Sequence, residues 1–291
     1  MTACLSPIHI RDSVSGEVRI VPCSRCDACL VRQRQEWTYR LREELRHNPN
    51  AFFVTLTYDN ENLPIQEFVD DSGAIFYDAV HDKTDIQLFN KRLRHKLEKY
   101  DAKCRFYIVS EYGPNTQRPH YHGIYFLDKD ITLDDFDSLV RASWPSPNIT
   151  VDIVTDSRIK YVTEYVFTRK DVPSHLPDNF RLVSRNPGLG SCYIERLKDW
   201  HLKDPENRVF APDYEGNHCN LPRYYRDKIF PKSFLQERAK KLEAEKFEEE
   251  KRLFESPDFD SRKYYRDKWE FVKDYHNKVT KSFKKHKNKQ L

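Results

Sequence analysis

The sequence predicts an α+β fold: a ferredoxin-like, or split-βαβ, antiparallel sheet with helices on one face. Two observations predict it. Segments with two-residue and with three- to four-residue apolar periodicity alternate over 51–170 in the order βαββαβα. Only a turn-rich loop at 113–119 separates the second strand from the third, so these two strands should pair directly as a hairpin. The third strand is then expected near the centre of the sheet.

The first half of this domain begins with a strand, predicted by the apolar alternation Phe52, Val54, Leu56 and Tyr58. This strand should be well covered on one face. A hairpin is predicted over 66–77, turning at Asp70-Asp71-Ser72-Gly73. Thr84-Asp85-Ile86-Gln87 is a capping box that should start a helix. The core-facing residues of that helix are Ile86, Phe89, Leu93, Leu97 and Tyr100.

The second half continues as hairpin, helix, strand and helix. The predicted bounds are 105–112 and 120–127 for the hairpin strands, 132–144 for a helix ended by Pro145, 149–153 for the fourth strand and 156–168 for the last helix. With helices on one face only, the other face would be free for a ligand.

Four parts are expected along the chain. A Cys-rich, metal-stabilised segment and a helix occupy 1–50, the sheet domain occupies 51–170, and an irregular extension rich in proline and aromatic residues occupies 171–230. The charged region 231–291 should form a helical hairpin. Its end is expected to act as a phosphate-binding arm, with basic residues at Lys281, Lys284, Lys285, Lys287 and Lys289.

Composition restricts the class of protein. The 291 residues carry a formal net charge of +4, with 50 Lys and Arg against 46 Asp and Glu, so charge alone indicates no particular partner. There is no apolar run near the ~18 residues of a membrane span and no signal-peptide core. The expected location is therefore the cytoplasm, without membrane contact. In a reducing compartment, seven cysteines indicate metal binding or free thiols rather than disulfides.

Three cysteines lie close together as Pro22-Cys23-Ser24-Arg25-Cys26-Asp27-Ala28-Cys29. Two overlapping Cys-x-x-Cys steps let thiolates converge on one Zn²⁺ ion. The fourth ligand is expected to be Cys4, with His9 as the reserve. An iron–sulfur cluster and a set of free thiols in a turn are the alternatives.

Two histidines flank one residue in Arg118-Pro119-His120-Tyr121-His122-Gly123. Because they lie two apart on a predicted strand, His120 and His122 should project from the same face. Glu111 precedes His120 by nine residues, and the hairpin would bring it alongside. Two imidazoles and a carboxylate suit Mg²⁺ or Mn²⁺ with positions left for substrate oxygens. A purely structural hydrogen-bonded set is the alternative.

Two tyrosines, Tyr161 and Tyr165, lie four residues apart and so are neighbours on one helix face. On a helical projection they fall roughly opposite the buried stripe of their helix, where core tyrosines would not lie. A tyrosine beside a divalent cation can attack phosphorus. Positive charge from Lys160, Arg169 or Lys170 would raise its phenolate fraction.

Together these motifs resemble those of HUH-superfamily replication initiators, and more narrowly those of the replication initiation proteins of microviruses in their gokushovirus-like branch. The resemblance spans residues 4–228. It is carried by Cys4 with the Cys23-Cys26-Cys29 cluster, Phe53-Val54-Thr55-Leu56-Thr57-Tyr58, the Arg118–Gly123 motif, Tyr161-Val162-Thr163-Glu164-Tyr165-Val166, Ser184-Arg185-Asn186-Pro187-Gly188-Leu189-Gly190 and Leu221-Pro222-Arg223-Tyr224-Tyr225.

The resemblance implies rolling-circle replication in a host bacterial cytoplasm, with single-stranded DNA at a phage origin as substrate and a host helicase as a further partner. It implies site-specific nicking and rejoining through a 5′-phosphotyrosine bond, with Tyr161 and Tyr165 as paired nucleophiles and Glu111, His120 and His122 as metal ligands. The family usually has a lysine where this chain has Glu164, so the charge around the tyrosines differs.

DNA contacts are expected from basic and aromatic side chains. Arg118 is expected to contact phosphate at the edge of the histidine site. The strand itself is expected to cross the sheet, its bases stacking on exposed aromatics such as Tyr107 or Tyr121.

Three other functions remain open from the sequence. A plasmid-type relaxase or a transposase would have the same catalytic residues. A non-catalytic, zinc-stabilised DNA-binding protein would use its histidines structurally. A metal-dependent oxygenase would need a double-stranded β-helix, against which the helices between the strands argue.

Overall fold

The computed structural model describes residue 4 and residues 6–11, 13, 16–113, 116–164, 172–212 and 218–287. The chain divides into two compact units. One consists of Trp37–Arg196, and the other combines Met1–Glu36 with Leu197–Leu291. The helices in the described part of the chain include none that is both long and apolar enough to cross a lipid bilayer.

Strands and helices alternate along the chain. The strands are β1 (Ile8–Arg11), β2 (Val18–Val21), β3 (Ala51–Thr57), β4 (Ile65–Val69), β5 (Ile75–Ala79), β6 (Cys104–Tyr112), β7 (Pro119–Leu127), β8 (Ile149–Ile153), β9 (Arg181–Val183), β10 (Phe210–Pro212) and β11 (His218–Asn220). The helices are α1 (Asp27–His47), α2 (Lys83–Leu97), α3 (Leu133–Arg141), α4 (Asp156–Glu164), α5 (Cys192–Lys203), α6 (Arg223–Ile229), α7 (Lys232–Phe254) and α8 (Ser261–Lys287).

The central sheet lies in the unit Trp37–Arg196 and has the order β8-β3-β7-β6-β9, with every neighbouring pair antiparallel. The strands β3, β6, β7 and β8 follow the predicted split-βαβ pattern, and β7 is central as expected. An α+β fold with an antiparallel sheet is therefore confirmed. The edge strand β9 was not predicted, because it lies in the stretch 171–230, which also contains α5 and α6 and is not irregular throughout.

Helices cover both faces of this sheet, so the prediction of helices on one face is wrong. On one face, Phe52 and Leu56 of β3 share a core with Leu93 of α2 and with side chains of α3. On the other face, Phe53 packs in a second core with Leu41 of α1 and with side chains of α4. The physical reason is that β3 and β7 are apolar at consecutive positions, and a strand of that kind must be buried on both faces.

The start of α2 differs slightly from the prediction. Its N-cap is Asp82, whose side chain accepts a hydrogen bond from the Thr84 backbone N–H at 2.6 Å. The helix therefore begins at Lys83, before the expected capping box. At α3 the predicted cap is confirmed, since the Thr132 side chain accepts from the Asp135 N–H.

Tyr107 and Tyr121 are both in the core, so neither can stack DNA bases as expected. Tyr107 is fully buried, its ring 5.1 Å from that of Trp37 in α1. Tyr121 faces the opposite core, where its hydroxyl donates to the Asp82 carbonyl and lies 3.0 Å from the Tyr58 hydroxyl. The sheet offers DNA no exposed aromatic surface at these positions, because helices cover both of its faces.

In the other unit, α7 and α8 confirm the two predicted C-terminal helices. The rings of Phe254, Phe259 and Tyr264 pack together at the turn between them. Further from the turn, Lys268 of α8 approaches Glu250 of α7 at 3.9 Å. The side chains of the predicted basic arm at the end of α8 lie outside the described part of the chain.

Candidate metal and nucleophile site

The β6–β7 hairpin aligns the predicted ligands. In its register Glu111 lies directly opposite His120, and Val109 lies opposite His122. The turn is closed by a hydrogen bond from the Gly113 N–H to the Arg118 carbonyl at 3.0 Å. Because alternate residues of a strand share a face, Glu111 and both histidines project together.

The three side chains converge on one point. The Glu111 carboxylate oxygen Oε2 lies 2.9 Å from His120 Nε2 and 3.1 Å from His122 Nε2. One ligand atom from each residue lies within 4.8 Å of the others. All three side chains are largely buried, with exposed fractions of 16% for Glu111 and His120 and 7% for His122.

Each histidine ring is held through its second nitrogen. His120 Nδ1 donates to the Arg118 carbonyl at 3.1 Å, and since a carbonyl only accepts, Nδ1 carries the proton. The lone pair of the neutral ring is then at Nε2, toward Glu111. His122 Nδ1 pairs with Thr55 Oγ1 at 3.0 Å. Such outer contacts are typical of metal-ligating histidines.

The site keeps its ligands in the charge states that metal binding needs. Burial acts to raise the pKa of Glu111, but its hydrogen bonds with His120 and His122 outweigh it and hold the pKa at about 2. Burial lowers the pKa of His122, to which the positive charge of Arg158 also contributes. At neutral pH the pKa of Glu111 therefore gives a carboxylate, and that of His122 gives a neutral imidazole. Two imidazoles and a carboxylate, oriented in this way, fit a divalent cation.

Tyr161 of α4 lies beside the histidines. Its hydroxyl is 3.5 Å from His122 Nε2, and its ring centroid is 5.1 Å from that of His122 and 6.0 Å from that of Phe53. The expectation that Tyr161 points away from the core is therefore wrong, since it is half-buried against the sheet. A helical projection has no information on where a neighbouring sheet ends, and here β7 extends beneath the side of α4 that carries Tyr161.

The predicted residues Tyr165, Arg169 and Lys170 lie outside the described part of the chain. Lys160 is described, and its ammonium pairs with Asp156 at 2.7 Å. The structure therefore brings Tyr161 to the predicted ligands, whereas Lys160 is engaged one turn back along α4.

Arg118 is half-buried, and its guanidinium serves the loop after β3. Its Nη1 donates to the Tyr58 carbonyl at 2.8 Å, and its Nη2 donates to the Asn60 side chain. These bonds tie the β6–β7 turn to the end of β3. A phosphate contact from Arg118 stays a prediction, to be made with the donors that remain.

Three site residues were missed from the sequence: Phe53, Thr55 and Arg158. The signal was available for the first two, since they alternate along β3, the neighbour of β7 in a split-βαβ sheet. Arg158 lies three residues before Tyr161, and its guanidinium sits 4.5 Å from the Phe53 ring centroid and 2.7 Å from Asp152.

The close packing around the histidines depends on Gly123, which follows them on β7. A Cβ at this position would lie 2.8 Å from a ring carbon of buried Tyr125 and 3.2 Å from Ile108. Gly123→Ala should therefore destabilise the protein by about 1–3 kcal/mol through overpacking, measured by urea unfolding. Gly113→Ala is the matched control, because its Cβ would meet no atom closer than 3.5 Å. Equal unfolding free energies for the two variants would contradict this account.

A second group forms in the other unit, where the four predicted cysteines come together. Cys4 Sγ lies 3.5 Å from Cys23 Sγ and 3.7 Å from Cys26 Sγ, and Cys29 completes the group. Backbone N–H groups of Arg25 and Cys26 lower the pKa of Cys23 to about 6, which favours a thiolate. His9, the predicted reserve, lies in β1 and is not part of this group. Four converging sulfurs fit a tetrahedral metal ion.

Known proteins match this chain in the same region. A family model for replication-associated proteins of the ORF2 type matches residues 51–170. The replication-associated protein VP4 of Bdellovibrio phage phiMH2K is 25% identical over 75% of this chain and 71% of its own length. The replication-associated protein ORF4 of Chlamydia phage 1 is 27% identical over 71% of this chain and 53% of its own length. No solved structure gives a significant match.

A further relative is the replication-associated protein ORF2 of Spiroplasma virus 4, 26% identical over 70% of this chain and 66% of its own length. This chain thus spans between about half and about seven tenths of these relatives. The predicted resemblance to microvirus-like replication proteins is confirmed by these matches. Residues 51–170 form a domain of the ORF2-type replication-associated family, and the chain is a relative of the replication-associated proteins of these phages.

Proposed function

We propose that this chain is a rolling-circle replication initiator, an HUH-type endonuclease that nicks and rejoins DNA at a phage origin. The observation that carries the proposal is the convergence of Glu111, His120 and His122, with the Tyr161 hydroxyl 3.5 Å from His122 Nε2. Phosphoryl transfer needs both a nucleophile and stabilisation of charge on phosphate oxygens. A tyrosine beside a set of metal ligands supplies both at one point.

In the proposed reaction the Tyr161 phenol loses its proton and its oxygen attacks the scissile phosphorus. A bond forms between that oxygen and phosphorus as the bond from phosphorus to the 3′ oxygen breaks. The 3′ oxygen leaves as a hydroxyl after gaining a proton, and the 5′ phosphate stays on the tyrosine as an ester. Rejoining is the same exchange in reverse, so no external energy source is needed.

A bound Mg²⁺ or Mn²⁺ would polarise the phosphate and neutralise developing charge. Glu111, His120 and His122 would hold it. The Arg118 carbonyl and Thr55 keep the histidine rings turned so that Nε2 faces inward. Phe53 packs against the rings of both His122 and Tyr161, which keeps nucleophile and ligand together. Such positioning lowers the entropic part of the barrier.

We assign the remaining predicted residues as follows. Tyr165 is the second nucleophile, so that one tyrosine can hold an old 5′ end while the other attacks anew. Arg118, Lys160, Arg169 and Lys170 contact the phosphates of single-stranded DNA at the origin. A host helicase would open the duplex, and the site of action would be the cytoplasm of the host bacterium.

We assign the Cys4, Cys23, Cys26 and Cys29 group to a structural Zn²⁺, because four closed thiolate positions leave none for substrate. Cys26→Ala should then lose the ion and lower the melting temperature of the protein, since a structural zinc site contributes directly to folding. Zinc content by mass spectrometry and thermal melting measure this. Cys219→Ala, a cysteine outside the group, is the control. Unchanged zinc content and melting in the Cys26 variant would refute the assignment.

The test of the nicking function is a covalent adduct. The protein is incubated with Mn²⁺ and labelled oligonucleotides that tile both strands of the cognate circular genome, and the products are separated under denaturing conditions. A labelled band at the size of the protein plus a DNA fragment is expected for the origin strand. The complete absence of such a band, with DNA binding retained, would favour a non-catalytic zinc-stabilised DNA-binding protein.

A plasmid-type relaxase or a transposase would form the same adduct. Circular single strands released from a supercoiled template that carries the origin would identify the initiator. Transfer of the cleaved end to an unrelated duplex would instead identify a transposase.

A further inference from the structure

A basic cleft of about 610 Å³ lies at the end of the central sheet where β6 begins and β7 ends. Its only lining carboxylate is Asp128, which already accepts the backbone N–H of Lys103 at 2.7 Å. Four cationic side chains line it, Arg94, Lys103, Arg105 and Arg185. The nicking site uses none of these cations.

Two contacts build this cleft. The Arg105 Nε lies 2.8 Å from Oε1 of Glu44, a buried residue whose second oxygen accepts the Gly190 N–H at 2.6 Å. Arg105 is therefore held in a fixed position. Its Nη2 is buried and makes no hydrogen bond to any other described residue, which leaves a donor for a ligand.

The loop after β9 forms one wall of the cleft and belongs to the motif Ser184-Arg185-Asn186-Pro187-Gly188-Leu189-Gly190. Ser184 is tied to β6 twice, since its N–H donates to the Phe106 carbonyl at 3.0 Å and its Oγ accepts the Phe106 N–H at 3.0 Å. Across the cleft, the Arg94 guanidinium lies 5.0 Å from the Phe106 ring centroid. Arg185 and Arg94 thus both approach the start of β6.

The cleft is remote from the nicking site. Along β6, seven residues separate Cys104, which lines the cleft, from Glu111, and this spacing corresponds to about 24 Å in a strand. A single phosphate group cannot touch both sites. A DNA strand of about seven nucleotides at stacked spacing covers that distance.

We infer that this cleft binds backbone phosphates of the DNA strand that leads away from the nicking site, an inference that rests on the proposed function. Guanidinium groups match phosphate oxygens in geometry, and contacts of this kind position a strand without reading its sequence. Arg94, Lys103 and Arg185 are exposed, as side chains that follow a strand are, rather than closed around a small ligand.

The test uses Lys103→Gln/Arg185→Gln, because both side chains are exposed and the fold should survive. The control is Lys91→Gln/Lys99→Gln, two exposed lysines of the same unit that do not line the cleft. Binding of fluorescein-labelled (dT)20, which lacks an origin sequence, is measured by anisotropy from 50 to 300 mM salt. For two lost phosphate contacts, the slope of log K against log salt should become shallower by about 1.4 in the cleft variant. In the control it should stay at the wild-type value.

An unchanged slope in the cleft variant, or an equal change in the control, overturns the inference. Thermal melting of each variant verifies folding, and if the double variant is unstable, Arg185→Gln alone should change the slope by about 0.7. Tighter competition by a nucleoside triphosphate than by (dT)20 would also overturn it. Loss of the proposed function is separate, because it would appear as a missing covalent adduct in the wild-type protein, whatever the salt slope.

Discussion

Replacing His122 by alanine should lower the rate of origin nicking by more than about 100-fold while changing DNA affinity little. The imidazole Nε2 of His122 is one of three converging ligand atoms, and no other described residue lies in that group to replace it. Even outer-shell changes at metal sites cost about 10–100-fold, so loss of a ligand should cost more. DNA affinity should persist, because it depends on lysine and arginine contacts with phosphate. Adduct formation with labelled origin DNA and anisotropy measure the two quantities.

Two variants bracket this result. Thr55→Val removes the hydroxyl that pairs with His122 Nδ1 and should weaken metal binding by about 10–100-fold, with partial rescue at high Mn²⁺. His95→Ala is the matched control, since this histidine is on the surface of α2 and outside the site. Nicking at the wild-type rate by the His122 variant would exclude the metal-ligand assignment. Retained nicking by His120→Ala would exclude it in the same way.

Tyr161→Phe should change which tyrosine carries the DNA, without changing the fold. The substitution removes only a hydroxyl, and the ring can keep its contacts with Phe53 and His122. Under the two-nucleophile scheme, Tyr165 alone then remains, so initiation and termination should separate and a full replication cycle should fail. Tyr161→Phe/Tyr165→Phe should form no adduct at all. Peptide mapping of the adduct by mass spectrometry identifies the modified tyrosine in each variant.

The control for this experiment is Tyr77→Phe, an exposed tyrosine of the β4–β5 hairpin, which should form adducts normally. If both single variants at Tyr161 and Tyr165 complete full cycles, the two-tyrosine scheme is wrong. If the double variant still forms an adduct, the nucleophile lies elsewhere and the proposed chemistry must be reassigned.

Local patterns predicted the ligands of the candidate site well. His120 and His122 share a face because strand residues alternate, and Glu111 lies opposite His120 because a short hairpin loop determines its register. The cysteine group was predicted for a similar reason, since close Cys-x-x-Cys spacing leaves the chain few ways to separate the sulfurs. In each case the residues that meet are joined by a short segment or by a regular repeat.

Contacts between distant segments were not predictable in this way. The second helical layer over the sheet comes from α1, and its Trp37 covers Tyr107, a residue seventy positions later in the chain. The same layer brings α4 against β7, which turns Tyr161 toward His122. A helix by itself indicates which residues share a face, but the neighbour of that face depends on the packing of the whole domain.

The sequence by itself therefore determined the order of the elements, the pairing of Glu111 with the histidine strand, and the sets of residues that can ligate metals. Periodicity and short-range spacing are properties of the local chain, and these features depend on little else. Only the tertiary structure decided that both faces of the sheet are covered, that Tyr161 reaches His122, and that β9 completes a basic cleft at the far end of β6. These depend on burying apolar surface shared between segments far apart in sequence, which local patterns do not encode.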